Sequence, residues 1–321
     1  MKPAQPPGNA PSDHMFGSVP VVENASILTP TSGFLKTGYT HTLNAYQGCA
    51  FAGSLCGTFC YAQHNQWITK GRAWRLFGAK RNVRAAYRRE YDRIKRPKRG
   101  EPKALKIYMS SSTDPYLPQE MRLRLTWSIL DEMGARPPDV LVIQSHHTLI
   151  ERDLDLISER SQRFELWVSL TVETDMDHVP GFPPHASLPA RRLETLNTFR
   201  TRGVLTQATV SPLLPLANPR YFALQLDAAC DRVILDHYLI GDGSPNGWRT
   251  KRTTFADRLE RAGFGSWNEL AKFWEIRDLF ASVLGPDRVL VGCDGFNSVG
   301  RVFGENPPNY RVVIDSANLL Y

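Results

Sequence analysis

Long apolar runs and paired cysteines are what this sequence lacks most clearly. No uninterrupted apolar stretch in its 321 residues approaches the roughly 20 residues that a membrane-spanning helix needs. The five cysteines are an odd number, and three of them lie close together, which argues against a disulfide framework. Residues 1–32, rich in Pro, Ser, Gly and Asn, contain no charged-then-apolar segment typical of a secretory signal. We therefore expect a cytoplasmic protein without a membrane partner.

Composition and charge favour a globular enzyme with a polyanionic partner. Hydrophobic residues make up 42% of the chain and charged residues 22%, and the length suits one α/β barrel-sized domain or two smaller ones. The net charge of +7 is concentrated, because 15 Lys and Arg residues stand against 3 Asp and Glu residues between Lys70 and Lys106. A concentrated basic segment attracts nucleic acid or phosphorylated molecules better than dispersed charge does.

Three of the cysteines, Cys49, Cys56 and Cys60, are spaced C-x6-C-x3-C in a stretch with interleaved glycines. Thiolates this close on a flexible loop can converge on one metal centre. Three thiolates would leave one iron of a [4Fe–4S] cluster without a protein ligand, free to bind a substrate or cofactor. His64 opens an alternative, since a Cys3His set can close a zinc site in an RNA-binding protein without catalysis. Burial as ordinary thiols is a third interpretation.

Short apolar segments alternate with segments of helical periodicity along most of the chain. Such alternation predicts parallel strands joined by crossover helices, in an α/β barrel or a doubly wound sheet. Polar residues follow each predicted strand, where barrel enzymes carry their chemistry, and this favours the cluster over the zinc site. The predicted strands are residues 40–45, 104–109, 140–143, 166–170, 205–210, 233–235 and 288–291, and the predicted helices are residues 82–94, 119–133, 150–159, 190–202, 220–230 and 266–284.

These patterns divide the chain into three predicted parts. Residues 1–35 are expected to form a poorly ordered leader, because they contain little more than one short apolar segment interrupted by proline. Residues 36–250 are expected to form the barrel. Residues 251–321 are expected to form a C-terminal α+β extension of helices and strands, with residues 310–314 as a candidate final strand.

Three motifs carry a resemblance to a known family. They are the cysteine loop ending Phe59-Cys60-Tyr61-Ala62, residues 110–116 (Ser-Ser-Ser-Thr-Asp-Pro-Tyr) with Pro118 and Glu120 after them, and Ser211-Pro212. Together they resemble the radical S-adenosylmethionine (SAM) enzymes, and within them the group around spore photoproduct lyase, over about residues 40–240. The family usually spaces its cysteines C-x3-C-x2-C, so both gaps are longer here. The resemblance implies a partial (β/α)6 TIM-like barrel of parallel strands that holds a [4Fe–4S] cluster and SAM.

The resemblance also implies roles for the cysteines and the polar strand ends. Cys49, Cys56 and Cys60 would each bind one iron, and SAM would chelate the fourth. An electron from a donor such as flavodoxin or ferredoxin would cleave SAM, and a 5′-deoxyadenosyl radical would abstract a hydrogen atom from the substrate. The residues that match cofactor contacts of the family are Phe59, Ser110, Ser112, Thr113, Asp114, Gln144, Ser169, Thr171 and Ser211.

A nucleic-acid base or nucleotide is the favoured substrate, with a peptide or a small metabolite as the alternative. Photoproduct lyases carry a hydrogen-donating cysteine where this chain has Ser111, and Cys293 is the candidate replacement. A predicted helix with arginines on one side, and a loop that pairs tryptophan with cations, suit phosphate and base binding. The candidate substrate-binding residues are Arg81, Arg84, Arg88, Glu173, His237, Trp248 and Arg249.

Overall fold

The computed structural model of the protein describes residues 19–23, 26–69, 71–96 and 103–300. Strands and helices alternate through most of these residues, as the periodicity predicts. The strands are β1 (Val21–Val22), β2 (Leu28–Pro30), β3 (His41–Leu43), β4 (Tyr46–Gln47), β5 (Gly78–Lys80), β6 (Lys106–Met109), β7 (Val140–Ser145), β8 (Glu165–Thr171), β9 (Leu205–Val210), β10 (Arg232–Leu235) and β11 (Val289–Val291). The helices are α1 (Gln66–Thr69), α2 (Val83–Lys95), α3 (Glu120–Leu123), α4 (Leu125–Glu132), α5 (Leu154–Ser161), α6 (Pro189–Thr201), α7 (Pro219–Ala229), α8 (Tyr238–Gly241), α9 (Trp248–Lys251), α10 (Phe255–Arg261), α11 (Leu270–Leu284) and α12 (Gly292–Asn297).

A sheet in the order β11-β10-β9-β8-β7-β6-β3-β2 forms the centre of the described chain. From β3 to β11 each strand runs parallel to its neighbour, and β2 is antiparallel to β3 at the edge. Every residue of β7 and β8 is buried, as expected of parallel strands that are covered on both faces. This architecture confirms the predicted α/β class with a parallel sheet.

A small second sheet positions the start of the cysteine loop. In it β5 pairs in parallel with β1 and antiparallel with β4. The strand β4 ends two residues before Cys49, and Gly48 between them has a positive φ of 71°. A Cβ on Gly48 would lie 2.2 Å from the carbonyl oxygen of Leu76, so only glycine fits this turn into the loop.

The described part of residues 19–35 is structured, which corrects the prediction of a poorly ordered leader there. The strands β1 and β2 pair within the two sheets. The buried carboxylate of Glu90, on α2, accepts hydrogen bonds from the backbone N–H groups of Ile27 (3.0 Å) and Leu28 (2.8 Å). This partner is more than 60 residues away in sequence, so no local pattern reveals it. Residues 1–18 lie outside the described residues.

The C-terminal part continues the main sheet. The strand β11 pairs in parallel with β10, with Val233 opposite Val289. Helix α11 packs along α7, where the rings of Phe222 and Phe280 meet edge to face at 5.9 Å. The predicted strand at residues 310–314 lies outside the described residues. Among the helices that the structure describes, none is both long and apolar enough to cross a bilayer.

Candidate active site

A cavity of about 870 Å³ lies at the carboxyl ends of the parallel strands. Residues that end or follow β6, β7, β8, β9 and β10 line it, together with the cysteine loop. Residues far apart in sequence meet here because parallel strands present their carboxyl ends at one edge of the sheet. The predicted site residues that line the cavity are Cys49, Cys56, Phe59, Cys60, Ser110, Ser112, Thr113, Asp114, Gln144, Thr171, Ser211 and Arg249.

Three short 3-10 turns shape the cysteine loop: the first lies between Cys49 and Cys56, the second contains Cys56, and the third follows Cys60. These turns span Ala50–Gly53, Leu55–Thr58 and Tyr61–His64. Gly57 permits the close return, because a Cβ there would lie 2.1 Å from the carbonyl oxygen of Ala52. Gly57 is therefore part of the geometry that brings the thiols together.

Burial raises the pKa of all three loop thiols, and the thiols lie within electrostatic reach of one another. The pKa of Cys49 rises to about 12, with Asp114 and then Cys60 adding to the effect of burial. The pKa of Cys60 rises to about 11, again through burial. The pKa of Cys56 lies well above its usual value because of burial first and then Cys49. Thiolates here need a bound cation to balance them, and three sulfurs on one cavity are a donor set that fits an iron–sulfur cluster.

A single zinc ion does not match the arrangement of the described residues. Within residues 19–300, where described, no three His, Cys, Asp or Glu side chains are placed to bind one metal ion. His64 is not among the residues that line the cavity, and partial burial and then the charge of Arg252 lower its pKa. A zinc site needs every sulfur about 2.3 Å from one ion, whereas a cluster binds each thiolate to a different iron. The position of His64 off the cavity that the three cysteines line favours the cluster over the predicted Cys3His alternative.

The segment after β6 is fixed against the cysteine loop and β7. The Thr113 hydroxyl donates a hydrogen bond to the carbonyl oxygen of Gly48 at 2.6 Å. The Asp114 carboxylate accepts hydrogen bonds from the Ser145 hydroxyl (2.8 Å) and the backbone N–H of His146 (2.7 Å). Thr113 and Asp114 are both buried, so their first role is to hold this strand end beside the cysteines.

Gln144 is the centre of a hydrogen-bond network in the cavity wall. Its amide nitrogen donates to the hydroxyl oxygens of Thr171 (2.7 Å) and Thr209 (3.0 Å). Its amide oxygen accepts from the hydroxyls of Ser169 (2.6 Å) and Tyr108 (3.2 Å). Ser169 is fully buried and does not line the cavity, so it supports Gln144 from behind and does not reach a ligand.

Three of the four arginines predicted to bind substrate, Arg81, Arg84 and Arg88, are engaged in ion pairs away from the cavity. Arg84 and Arg88 contact the carboxylate of Glu132, on α4, at 2.9 and 2.8 Å. Arg81 contacts Glu23 at 2.6 Å. The Glu132 side chain is 2% exposed, and a buried carboxylate without cationic partners would be costly. Arg84 and Arg88 therefore hold α2 against α4, which corrects their predicted place at the substrate.

Three more predicted residues lie behind the cavity wall. Glu173 is buried and pairs with Arg192 at 2.7 Å. His237 is buried, its ring caps the start of α8, and burial lowers its pKa to about 4. The Cys293 thiol donates to a backbone carbonyl oxygen at 3.1 Å. None of the three lines the cavity, so direct contact with a ligand there is not supported for them.

Exposed tryptophans and arginines lie at and beside the cavity mouth. Trp67 lines the cavity and is 89% exposed, although the sequence analysis did not select it. Trp248 is 41% exposed, and the guanidinium groups of Arg249 and Arg252 lie 5.7 and 5.6 Å from its ring centroid. Exposed indole rings beside cations suit stacking on a base next to a phosphate.

Asp236 is a cavity residue that the sequence analysis missed. It follows β10 directly, lines the cavity and is buried. Burial raises its pKa to about 7, and nearby Asp242 adds to the effect. A polar residue after an apolar strand was the signal that selected His237. Neighbouring side chains point to opposite faces in extended backbone, which turns Asp236, and not His237, toward the cavity.

Two curated relatives from the sequence comparison are themselves uncharacterized. No family model matches the sequence. An uncharacterized protein of Methanocaldococcus jannaschii is 28% identical over 180 residues, which cover 56% of this chain and 62% of the relative. An uncharacterized protein of Mycobacterium tuberculosis is 29% identical over 187 residues, which cover 55% of this chain and 50% of the relative. The match thus spans about half to three-fifths of the length of these curated relatives.

Solved structures of spore photoproduct lyase share the fold. A cysteine-to-serine mutant has a TM-score of 0.53 at 13% identity, covering 84% of this chain and 81% of that chain. The lyase complexed with dinucleoside spore photoproduct has a TM-score of 0.51 at 12% identity, with the same coverage. A further mutant was solved with bound AdoMet and dinucleoside spore photoproduct, at a TM-score of 0.50 and 11% identity. At these identities the likeness confirms the fold that the resemblance implied, a partial barrel of parallel strands.

Proposed function

We propose that the protein is a radical SAM enzyme whose [4Fe–4S] cluster is held by Cys49, Cys56 and Cys60. The observation that carries the proposal is the meeting of three thiols, one buried and two partly buried, with the polar end of β6 in one cavity. Its support from known proteins is a fold shared with spore photoproduct lyase, which was solved with bound AdoMet. Such a cluster, when bound, supplies reductive cleavage of SAM and, through it, hydrogen abstraction from a substrate.

The chain contributes binding, orientation and exclusion of water. Phe59, next to the last loop cysteine, packs edge to face on Phe255 with ring centroids 5.6 Å apart, and forms an apolar wall beside the thiols. Gln144 holds the Thr171 hydroxyl in one orientation through its amide nitrogen, so that this hydroxyl is positioned toward a ligand. Ser112 lies on the cavity at the strand end where the family binds the methionine part of SAM.

The proposed substrate is a nucleic-acid base or nucleotide. Its support is the exposed Trp67 on the cavity and the exposed Trp248 flanked by Arg249 and Arg252. Spore photoproduct lyase, which shares this fold, was solved in complex with dinucleoside spore photoproduct. A peptide or small metabolite is the alternative substrate class, and binding measurements separate the two.

Anaerobic purification tests the cluster. The wild-type protein should be brown and contain about four irons and four sulfides per chain, and serine variants of Cys49, Cys56 or Cys60 should lose most of this iron. Cys230→Ser is the matched control, because Cys230 is fully buried in the core away from the cavity. A colourless protein with one zinc per chain, or full iron content in the loop variants, would contradict the proposal.

Oligonucleotide binding tests the substrate class. Trp248→Ala and Arg249→Ala should weaken binding of a labelled single-stranded oligonucleotide, and raised salt should weaken it further. Trp274→Ala is the matched control, since Trp274 is 40% exposed and has Arg277 5.2 Å from its ring, but Arg277 does not line the cavity as Arg249 does. Equal affinity of all variants for the oligonucleotide would favour the peptide or metabolite alternative.

A further inference from the structure

Two buried polar atoms in the cavity wall lack a hydrogen-bond partner among the described residues. They are the hydroxyl oxygen of Ser110 and Oδ1 of Asp236. Asp236 is only 4% exposed. A buried carboxylate oxygen without a donor carries an uncompensated desolvation cost, and proteins rarely leave one unless a ligand or ion meets it.

The backbone around Asp236 is built to accommodate its carboxylate. The Ser211 hydroxyl donates to Oδ2 at 3.2 Å and the backbone of His237 also hydrogen-bonds the carboxylate, whereas Oδ1 has no donor. A Cβ on Gly241 would lie 1.8 Å from Oδ1, so the absence of a side chain at position 241 is what gives the carboxylate its place. Gly292 also approaches it, with a Cβ position 3.7 Å from Oδ1.

The other carboxylates on the cavity already have partners. Asp242 accepts a hydrogen bond from the backbone N–H of Ser244 at 2.8 Å and another from that of Thr250 at 2.9 Å. Asp114 accepts from the Ser145 hydroxyl and from a backbone N–H. Those two residues stabilise their own loops. Among the described carboxylates on the cavity, Asp236 is the one with a buried oxygen that lacks a hydrogen-bond donor.

We propose that Asp236 is a ligand-binding residue whose Oδ1 accepts a hydrogen bond from a hydroxyl or amino group of a nucleoside bound in the cavity. The identity of the ligand as a nucleoside rests on the proposed function. The donor group belongs either to the adenosine part of SAM or to the nucleotide substrate. Burial raises the pKa of Asp236 to about 7, so a donor on the ligand offsets the cost of its ionised form. The hydroxyl of Ser110, which follows β6, is a second buried polar group on the same cavity without a hydrogen-bond partner.

Equilibrium binding by calorimetry on anaerobically purified protein tests this assignment. The probes are S-adenosylhomocysteine and the dinucleotide TpT, which represent the two sources of the donor. Asp236→Ala should raise the dissociation constant of one probe about tenfold or more, and Asp236→Asn, which restores an uncharged acceptor, should have a smaller effect. Gly241→Ala should weaken the same probe, because its Cβ displaces the carboxylate. The affected probe identifies the source of the donor.

The control is Asp231→Asn, because Asp231 stands at the other end of β10 and pairs with Arg200 away from the cavity. It should bind both probes as the wild type does. If Asp236→Ala binds both probes with wild-type affinity, the assignment is overturned. Equal loss of affinity for both probes together with a lowered Tm would also overturn it. Iron content separates failure of this assignment from failure of the proposed function. These substitutions should leave the iron content unchanged, whereas wild-type protein without iron would contradict the proposed function itself.

Discussion

Replacing Gly57 by alanine should prevent the cysteine loop from closing and lower the iron bound per chain. The new Cβ would lie 2.1 Å from the carbonyl oxygen of Ala52 and 2.5 Å from its carbonyl carbon. The closer contact is about 0.9 Å short of the 3.0 Å that real Cβ contacts keep. Both atoms belong to the backbone between Cys49 and Cys56, so relief of the clash must move the segment that joins these thiols. Overpacking of this kind costs about 1–3 kcal/mol.

The assay is iron and sulfide content with visible absorption after anaerobic purification, beside a thermal melt. Gly53→Ala is the matched control in the same loop, because nothing lies within 4 Å of its Cβ position. We expect Gly53→Ala to retain the iron of the wild type and Gly57→Ala to lose most of it. Equal iron content in the two variants would refute the claim that the loop geometry at Gly57 brings the thiols together.

Two further predictions concern the ion pairs between α2 and α4 and the hydrogen bond from Thr113 to the cysteine loop. Glu132→Gln should lower the free energy of unfolding by about 2 kcal/mol in urea titrations, because it weakens charged hydrogen bonds to partly exposed arginines. Hydrogen bonding to Arg88 lowers the pKa of Glu132 to about 2, below its ordinary 4.5, so this stabilisation is present above pH 4.5 and is lost as the pH falls toward 2. A Tm difference between variant and wild type that does not shrink over that range would contradict the assignment. Thr113→Val should lower the free energy of unfolding by about 1 kcal/mol, because it removes the hydrogen bond to the carbonyl oxygen of Gly48. It should also speed the loss of iron to a chelator. Unchanged iron loss would show that this bond does not hold the loop.

The sequence predicts best those features that depend on local pattern. The buried strands such as Val140–Ser145 and Glu165–Thr171 follow from short apolar runs between helical segments. The carboxyl-end location of residues 110–114 and Gln144 follows from the order of strand and polar residue. The cysteine loop is likewise visible, because its cysteines and glycines lie within a few residues of each other.

Features that depend on distant partners could not be read from the sequence. Arg84 and Arg88 give the same sequence pattern whether they face solvent, nucleic acid or Glu132, which is more than 40 residues away. The position of Ile27 and Leu28 depends on Glu90, which is more than 60 residues away. Asp236 and His237 are both polar residues after one strand, and only the direction of each side chain decides which meets the cavity.

The central claim is that the three loop cysteines would hold a cluster that supplies reductive cleavage of SAM in the cavity beside them. Its most direct test is mass-spectrometric measurement of 5′-deoxyadenosine formed from SAM by the anaerobic, chemically reduced protein. Wild-type protein and Cys230→Ser should form 5′-deoxyadenosine, and Cys56→Ser should form none above background. Formation at the wild-type rate by Cys56→Ser, or none by wild-type protein with full iron content, would contradict the account.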